Sequence, residues 1–255
     1  MVKLARLFAL PIIVAALSLG NFARASEPLR FAVSTSWGMP FARYEGEQLV
    51  DGIMLDLMNE IGRAIPMPVR YVMLPRKRIE AAALAGEIDL RCFTHPTWSA
   101  VPDQFAWSSP LFVISEVVFG GESVLAPKRI DDLRTGTAVS TVLGYSYPTL
   151  EPYFSSGHLR RDDAVDQERV WLKVAAGRTD YGVTNNLGLD WYRRTSGGPG
   201  GPNHAKIASW HLTVAKNDFY CAVPKVSTVS AEKVLQALEH MKKTGRIEKI
   251  LLKYR

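Results

Sequence analysis

Three consecutive cations, Arg76, Lys77 and Arg78, stand at the predicted start of a helix. They follow the strand-like run 69–74 and Pro75, which suits the first turn of a helix. Cations there oppose the helix dipole, whose N-terminal end favours anions. The cluster therefore indicates an acidic group bound beside Arg76 and Arg78, although a solvated basic turn would have the same sequence.

Arg91 interrupts an apolar run in the predicted strand 88–93. Because an unpaired buried charge is costly, its guanidinium must reach either a ligand cleft or a carboxylate, and the sequence leaves both open.

The histidines do not have the spacing of a zinc site, and no nucleophile–base pair or cofactor-binding loop stands out. We therefore expect neither a metal nor a cofactor. The histidines are His95, His158, His204, His211 and His240.

The elements that would position these residues alternate between strands and helices. Apolar runs predict strands over 29–34, 69–74 and 88–93. Helical spacing predicts an amphipathic helix over 52–65 and a second helix from Pro75 to Ala85. This alternation is typical of a parallel α/β sheet.

The chain repeats one pattern in its second half. The segment 84–90 (LAGEIDL) and the segment 175–181 (AAGRTDY) each give a helix end, a glycine and an aspartate entering a strand. A strand over 137–142 and a helix over 166–176 precede the second copy, so a second α/β lobe is predicted. Asp89 and Asp180 are interpreted as structural.

The C-terminal part returns to the first pattern. A strand is predicted over 219–223, then a helix that Ser230 caps and Gly245 ends, then a helix over 246–254. The segment 196–203 (SGGPGGPN) is interpreted as a loop.

The first residues have the pattern of a secretory signal peptide. Lys3 and Arg6 precede the uncharged apolar stretch 7–20, and Ala23-Arg24-Ala25 offers small residues to a signal peptidase. We expect cleavage after Ala25, so the signal peptide covers residues 1–25 and the mature protein is periplasmic. The apolar stretch is short for a transmembrane helix.

The charge of the mature chain is modest. Loss of three basic residues and no acid with the signal lowers the net charge from +6 to +3, and no Lys/Arg cluster indicates a nucleic-acid partner. An exported chain allows a disulfide between Cys92 and Cys221, but two separate buried thiols are equally open to the sequence.

The order of these elements resembles the periplasmic solute-binding proteins of ABC importers, of the amino-acid-binding type. The phrases that carry the resemblance are LRFAVSTSWGMPF, LVDGIMLDL, LAGEIDL, FAWSSPLF, LRTGTAVSTVLGYSYPTL and AAGRTDYGVTNN. It implies an α/β fold of two lobes, each a mostly parallel sheet flanked by helices, joined by two crossing strands. Lobe 1 would contain residues 26–119 and 220–255, and lobe 2 residues 120–219, with a ligand cleft between them that closes like a hinge.

The resemblance also implies which residues bind the solute. An aromatic ring after the first strand, Trp37 or Phe41, would stack on it, and Thr94 after the third strand would supply a hydroxyl. The turn after the first strand of lobe 2 would contribute free N–H groups, because Pro148 suits the start of a helix there. Asn185 falls where amino-acid binders place an acid. The turn contains Gly144, Tyr145, Ser146 and Tyr147.

Both halves of the family's amino-acid clamp are missing. Relatives hold the α-carboxylate with an arginine in a phrase like Thr-x-x-Arg, and the matching segment 94–101 has no arginine. Asn185 replaces the acid that holds the α-ammonium. We therefore expect a neutral or anionic solute without a free α-amino group, unless Arg76 or Arg78 replaces the missing arginine from another direction.

The expected function is binding rather than catalysis. A monomer would capture a small polar or anionic solute and deliver it to an inner-membrane ABC permease. One alternative is a periplasmic enzyme like the cyclohexadienyl dehydratases, which needs a carboxyl general acid; no acid has a clear cleft position in lobe 2. A receptor that presents its ligand to a membrane sensor is a further alternative.

Overall fold

The computed structural model describes residues 27–195 and 206–255. The signal segment, its cleavage site and the loop 196–203 lie outside these residues. The described strands are β1 (Leu29–Ser34), β2 (Arg43–Glu45), β3 (Gln48–Asp51), β4 (Val69–Leu74), β5 (Arg91–Thr94), β6 (Phe105–Trp107), β7 (Phe112–Gly121), β8 (Thr137–Val142), β9 (Leu159–Ala164), β10 (Tyr181–Asn185) and β11 (Ile207–Pro224). The described helices are α1 (Ile53–Ala64), α2 (Ile79–Leu84), α3 (Glu151–Ser155), α4 (Gln167–Ala175), α5 (Asn186–Thr195), α6 (Ala231–Lys243) and α7 (Arg246–Tyr254). Over this part of the chain, no helix is both long and apolar enough to cross a bilayer.

Several sequence-predicted elements are confirmed. The strands β1 and β4 have the predicted bounds, and α1 buries the apolar stripe that its spacing indicated. The side chain of Asp166 accepts a hydrogen bond from the Arg169 N–H at the start of α4, and Ser230 caps α6 in the same way. Local capping and hydrophobic spacing therefore determine these elements.

Two predicted helix starts are wrong. The helix expected from Pro75 is divided, because Arg76–Arg78 forms a 3₁₀ turn and α2 begins only at Ile79. The helix expected at Pro148 begins at Glu151 and has five residues. The turn 144–147 is therefore not the N-terminus of a helix.

Lobe 1 has a sheet with β1 at its centre. β1 pairs in parallel with β4, and on its other side the Ala32 N–H donates to the Leu90 carbonyl, 2.9 Å away. β5 continues from there and pairs antiparallel with the end of β11, which also pairs with β6. Helices α1, α6 and α7 pack against one another beside this sheet.

Lobe 2 has its own sheet, and two long strands connect it to lobe 1. β8 lies between β9 and β10 in parallel, and β10 pairs antiparallel with β7. β7 and β11 run antiparallel to each other through both lobes. The fold is thus the predicted two-lobed α/β architecture. The expected lobe limits, 119/120 and 219/220, fall inside these two crossing strands.

A disulfide joins the two separate segments of lobe 1. Cys92 on β5 and Cys221 on β11 are bonded, with their Cα atoms 4.0 Å apart in the antiparallel ladder. The structure therefore selects the disulfide from the two possibilities that the sequence left open.

Candidate ligand-binding site

A cavity lies where the two lobes and the two crossing strands meet. Its empty space is about 570 Å³, including the opening to solvent. Aromatic rings and neutral polar groups form most of the wall, with one cation and one carboxyl. The lining residues are Trp37, Arg76, Phe93, Trp98, Ile114, Glu116, Tyr145, Ser146, Tyr147, Gln167, Thr184, Asn185 and Asn217.

Two aromatic rings of lobe 1 form one wall. Trp37, in the loop after β1, lies 5.8 Å from Phe93 between ring centroids. Phe93 has a φ of 56°, a left-handed conformation that a bulky residue adopts only when its surroundings impose it. Phe41 and Phe219 stack behind Phe93 with centroids 4.3 and 5.5 Å away, and these contacts hold its ring towards the cavity.

Three of the predicted site residues lie outside this lining. Phe41 is 3% exposed and packs behind Phe93, so it supports the wall instead of forming it. Thr94 is buried in the β5–β11 ladder, opposite Tyr220. Arg78 is exposed on the 3₁₀ turn.

Arg76 is the cation of the cavity. Burial lowers the pKa of its guanidinium, and its Cζ lies 6.0 Å from the centroid of the Tyr145 ring. Within residues 27–195 and 206–255 it has no hydrogen-bond or ion-pair partner. Both carboxylate oxygens of the nearby Glu80 are occupied, because they accept from Arg91, the Ser99 hydroxyl and the Ala100 N–H. Among the described residues, Arg76 is therefore a half-buried charge without a direct hydrogen-bond or ion-pair partner, and Glu80 acts on it only at longer range.

Arg91 belongs to the structure of lobe 1 and not to the cavity. Its Nη1 lies 3.1 Å from a Glu80 oxygen, and its Cζ lies 4.3 Å from the Phe105 ring centroid and 5.5 Å from that of Trp107. The sequence left open whether the Arg91 guanidinium reaches the ligand cleft or a carboxylate. In the structure it pairs with a carboxylate.

The turn after β8 forms the opposite wall. The Tyr145 hydroxyl accepts a hydrogen bond from Ser36 of lobe 1 at 3.4 Å, so the ring spans the cleft. The buried Tyr147 hydroxyl accepts from the Val142 N–H at 3.0 Å, which leaves its ring facing the cavity. Ser146 is exposed at the rim.

The side-chain amide oxygen of Asn185 already accepts a hydrogen bond from the protein. Its Oδ1 accepts from the Gly188 N–H at 2.9 Å in the first turn of α5. The Nδ2 group therefore remains for a solute, and it is a donor. Such a group suits an oxygen acceptor and does not suit an ammonium.

Glu116 is the residue that the sequence analysis missed. It lies on β7, opposite Asn185 in the β7–β10 ladder, and is 9% exposed. Its Oε1 has no hydrogen-bond partner in the described chain, and burial raises the pKa of the carboxyl to about 7. A lone acid in the apolar run FVISEVVF was the available signal. The cavity thus has an acid after all, on a strand that crosses between the lobes.

The two lobes touch beside the cavity. The Gln167 N–H at the start of α4 donates to the Ser36 carbonyl at 3.3 Å. A Cβ added at Gly144 would lie 2.9 Å from the Lys77 side chain of lobe 1, so only a glycine allows this approach. Arg194 of α5 donates to the Tyr254 carbonyl at 2.6 Å. These contacts describe a closed arrangement of the cleft.

Solved structures with the same fold include amino-acid-binding proteins and a periplasmic VFT2 domain. An ancestral arginine-binding protein bound to arginine is 23% identical, with a TM-score of 0.71 over 89% of this chain and 97% of its own. The periplasmic VFT2 domain of BvgS from Bordetella pertussis is 16% identical, with a TM-score of 0.70 over 89% of this chain and 93% of its own. The ancestral amino-acid-binding protein AncCDT-1, a precursor of cyclohexadienyl dehydratase, is 18% identical, with a TM-score of 0.71 over 89% of this chain and 95% of its own. No curated protein matches the sequence at a significant level.

The family model matches nearly all of the described chain. The model for bacterial extracellular solute-binding proteins, family 3, covers residues 29–255, which include both lobes and every residue of the cavity. The chain therefore belongs to the bacterial extracellular solute-binding proteins of family 3.

Proposed function

We propose that the protein captures a small solute with an anionic group between its lobes in the periplasm and delivers it to an inner-membrane ABC permease. One observation carries the proposal: the Arg76 guanidinium lies at the cavity and has no hydrogen-bond or ion-pair partner among the described residues. Burial of an unpaired charge is costly, and an anionic group of the solute would remove that cost.

The other lining residues fit a flat or partly apolar solute. The rings of Trp37, Phe93, Trp98 and Tyr145 offer large rigid faces, as aromatic residues do in many binding sites. Asn185 presents N–H donors. These features support a carboxylate that has oxygen acceptors and lacks a free α-amino group.

Amino acids are the alternative that an experiment must exclude. Two of the similar structures are described as amino-acid binders, and Arg76 could hold an α-carboxylate in place of the arginine missing from 94–101. Isothermal titration of the ligand-stripped protein would compare the common amino acids with 2-hydroxy and 2-oxo acids. We expect the acids without an amino group to bind. Submicromolar binding of a common amino acid would overturn this solute class.

The role of Arg76 has a matched control in the same turn. Arg76→Met should weaken binding of the best carboxylate from that titration about 10- to 150-fold, since a hydrogen bond to a charged group contributes ~1.5–3 kcal/mol. Arg78→Met removes the same charge from an exposed position outside the cavity and should leave the affinity unchanged. Equal effects of the two variants would place the anion elsewhere.

One observation favours the enzymatic alternative, because Glu116 supplies the buried carboxyl that a general acid needs. Incubation of prephenate with the purified protein, followed by chromatography, tests this directly. We expect no conversion above the rate of the Glu116→Gln variant. A higher rate in the unaltered protein would make it an enzyme.

Delivery to a permease is separable from binding. Cells that lack the chain should lose uptake of the radiolabelled solute, and periplasmic expression of the chain should restore it. Unchanged uptake with intact binding in vitro would support the sensor alternative.

A further inference from the structure

We propose that Glu116 is a protonated hydrogen-bond donor in the binding site, and that it selects a solute with an oxygen acceptor over one with an ammonium group at that place. The inference rests on the proposed function, because it concerns the same cavity. It adds a specificity-determining residue on a crossing strand and narrows the class of the solute.

Glu116 lines the cavity from a crossing strand, and one of its carboxyl oxygens is buried without a partner in the described chain. The side chain is nine-tenths buried, and it lines the cavity on the β7 strand between β10 and β11. Its Oε1 is fully enclosed and has no hydrogen-bond partner in the described chain. A buried polar atom without a partner is rare in proteins, and a ligand at the site is one of its ordinary explanations.

No counter-charge holds the carboxyl in its ionised form. Its ladder neighbours Asn185 and Ala215 are neutral, as are Thr184 and Gln167. Across the described residues, no cation forms an ion pair or a hydrogen bond with it. The charged and titratable groups on the elements around β7 are Arg76, Tyr145, Tyr147, Arg161 behind the Tyr147 ring, Glu168, Arg169 and Lys173 on α4, Tyr181 on β10, Asp190, Tyr192, Arg193 and Arg194 on α5, and His211, Lys216, Asp218 and Tyr220 on β11.

Burial without a partner charge favours the neutral acid. The pKa of about 7 agrees with this, since its cause is burial alone. A protonated carboxyl has one O–H donor, and beside it Asn185 presents a second donor through its Nδ2. Two donors on adjacent strands match the lone pairs of a hydroxyl, carbonyl or carboxyl oxygen.

An ammonium group at this place would need the opposite charge state. Glu116 would have to release its proton, so binding of an amine would weaken as the pH falls. An oxygen acceptor needs the proton to remain, so its binding would weaken as the pH rises. The two solute classes therefore give pH dependences of opposite sign.

Matched pairs of acids test the selection. Lactate and alanine have the same skeleton, as do phenyllactate and phenylalanine, and each pair differs only in a hydroxyl or an ammonium at carbon 2. Titration at pH 5.5, 7 and 8.5 should show tighter binding of the hydroxy acid, with affinity falling up to tenfold per pH unit above about 7. In Glu116→Gln, which keeps an N–H donor, that fall should disappear. Tighter binding of the amino acid at pH 8.5 than at pH 5.5, or no preference within a pair, would overturn the inference.

A second measurement needs no solute. Infrared difference spectra between the unaltered protein and Glu116→Gln should contain a protonated carboxyl band at pH 6 that disappears with a midpoint near 7. A carboxylate band already present at pH 6 would overturn the inference even if no acid in the panel binds. Failure of the proposed function would give a different result from failure of this inference. If Arg76 does not bind the anionic group, Arg76→Met retains carboxylate binding at every pH.

Discussion

Asp89, in the turn before β5, and Glu116, on β7, are both buried acids, and their surroundings give them pKa shifts of opposite direction. Asp89 is 1% exposed and accepts hydrogen bonds from the Arg30 backbone, the Arg30 guanidinium and the Ser227 hydroxyl. Burial would raise the pKa of Asp89, but these bonds outweigh it and lower the pKa. Glu116 has burial alone, and its pKa rises to about 7.

The difference separates a structural acid from a candidate functional one. Around Asp89 the protein itself supplies the counter-charge and the donors, so the region is complete without a ligand. At Glu116 a buried carboxyl oxygen has no hydrogen-bond partner in the described chain, and the half-buried Arg76 on the adjoining wall has no hydrogen-bond or ion-pair partner there. Such incomplete sites are expected where a solute completes the hydrogen bonding.

The largest effect on stability is expected at Asp89. Asp89→Asn leaves the Arg30 guanidinium, whose side chain is 29% exposed, without its charge partner, so the cost should lie towards the lower end of the ~3–5 kcal/mol for breaking a buried pair. Urea unfolding at pH 7 measures the loss. The exposed Asp180 occupies the same position in the second copy of the repeat, so Asp180→Asn is the matched control and should change stability little.

The pH dependence of that loss has a definite sign. The pKa of Asp89 is depressed in the folded state, so its contribution is present above the unfolded value near 3.8 and is lost as the pH falls further. The Asn variant should therefore approach the unaltered protein in strongly acidic buffer. A constant difference down to pH 2 would mean that the carboxylate charge is not what stabilises lobe 1.

Glu116 should give the stability the opposite pH dependence, and its effect on the free energy of unfolding should be somewhat smaller than that of Asp89. Its folded pKa is raised, so the unfolded chain ionises first, and stability falls as the pH rises from about 4.5 to about 7. Glu116→Gln removes this loss, and at pH 8 it should be more stable than the unaltered protein by up to about 3 kcal/mol. Thermal unfolding from pH 4 to pH 8 measures the difference. If the two proteins keep the same separation at every pH, Glu116 does not titrate in this range.

The smallest expected effect concerns closure of the cleft. Tyr145→Phe keeps the ring and removes the hydroxyl that accepts from Ser36 across the lobes at 3.4 Å. A single neutral hydrogen bond contributes about 1 kcal/mol or less, so affinity for the best carboxylate should fall about three- to fivefold. Small-angle scattering should still show a smaller radius with solute than without. The half-buried Tyr153 of α3 provides a distant control through Tyr153→Phe.

The sequence predicted the elements whose determinants are local. The α1 stripe, the Asp166 and Ser230 caps and the repeated glycines are visible within a few residues. Gly86 and Gly177 both have left-handed conformations, with φ of 71° and 65°, as expected for residues that end a helix. Trp37, Arg76, Tyr145 and Asn185 lie at strand ends, which is why the sequence could suggest them as cleft residues.

The rest of the site depends on contacts between distant segments. Glu116 faces the cavity because β7 leaves lobe 1 and pairs with β10, and no local pattern shows where that change of partner occurs. Asn217 was missed because β11 begins at residue 207, well before the predicted start at 219, although the alternation of polar and apolar residues over 209–214 (SWHLTV) was an available signal. Phe93, and not Thr94, lines the cavity because of its left-handed backbone, which the stacked rings of Phe41 and Phe219 impose.

The disulfide between Cys92 and Cys221 has a consequence for the order in which the lobes are completed. The two cysteines are separated by 129 positions, so Cys92 is synthesised long before its partner exists. By then the segment that contains β8, β9 and β10 has been made in full, whereas the sheet of lobe 1 still lacks the end of β11. The part of the chain that is made first is therefore completed last, because the disulfide can form only after the strands of lobe 2 have been made.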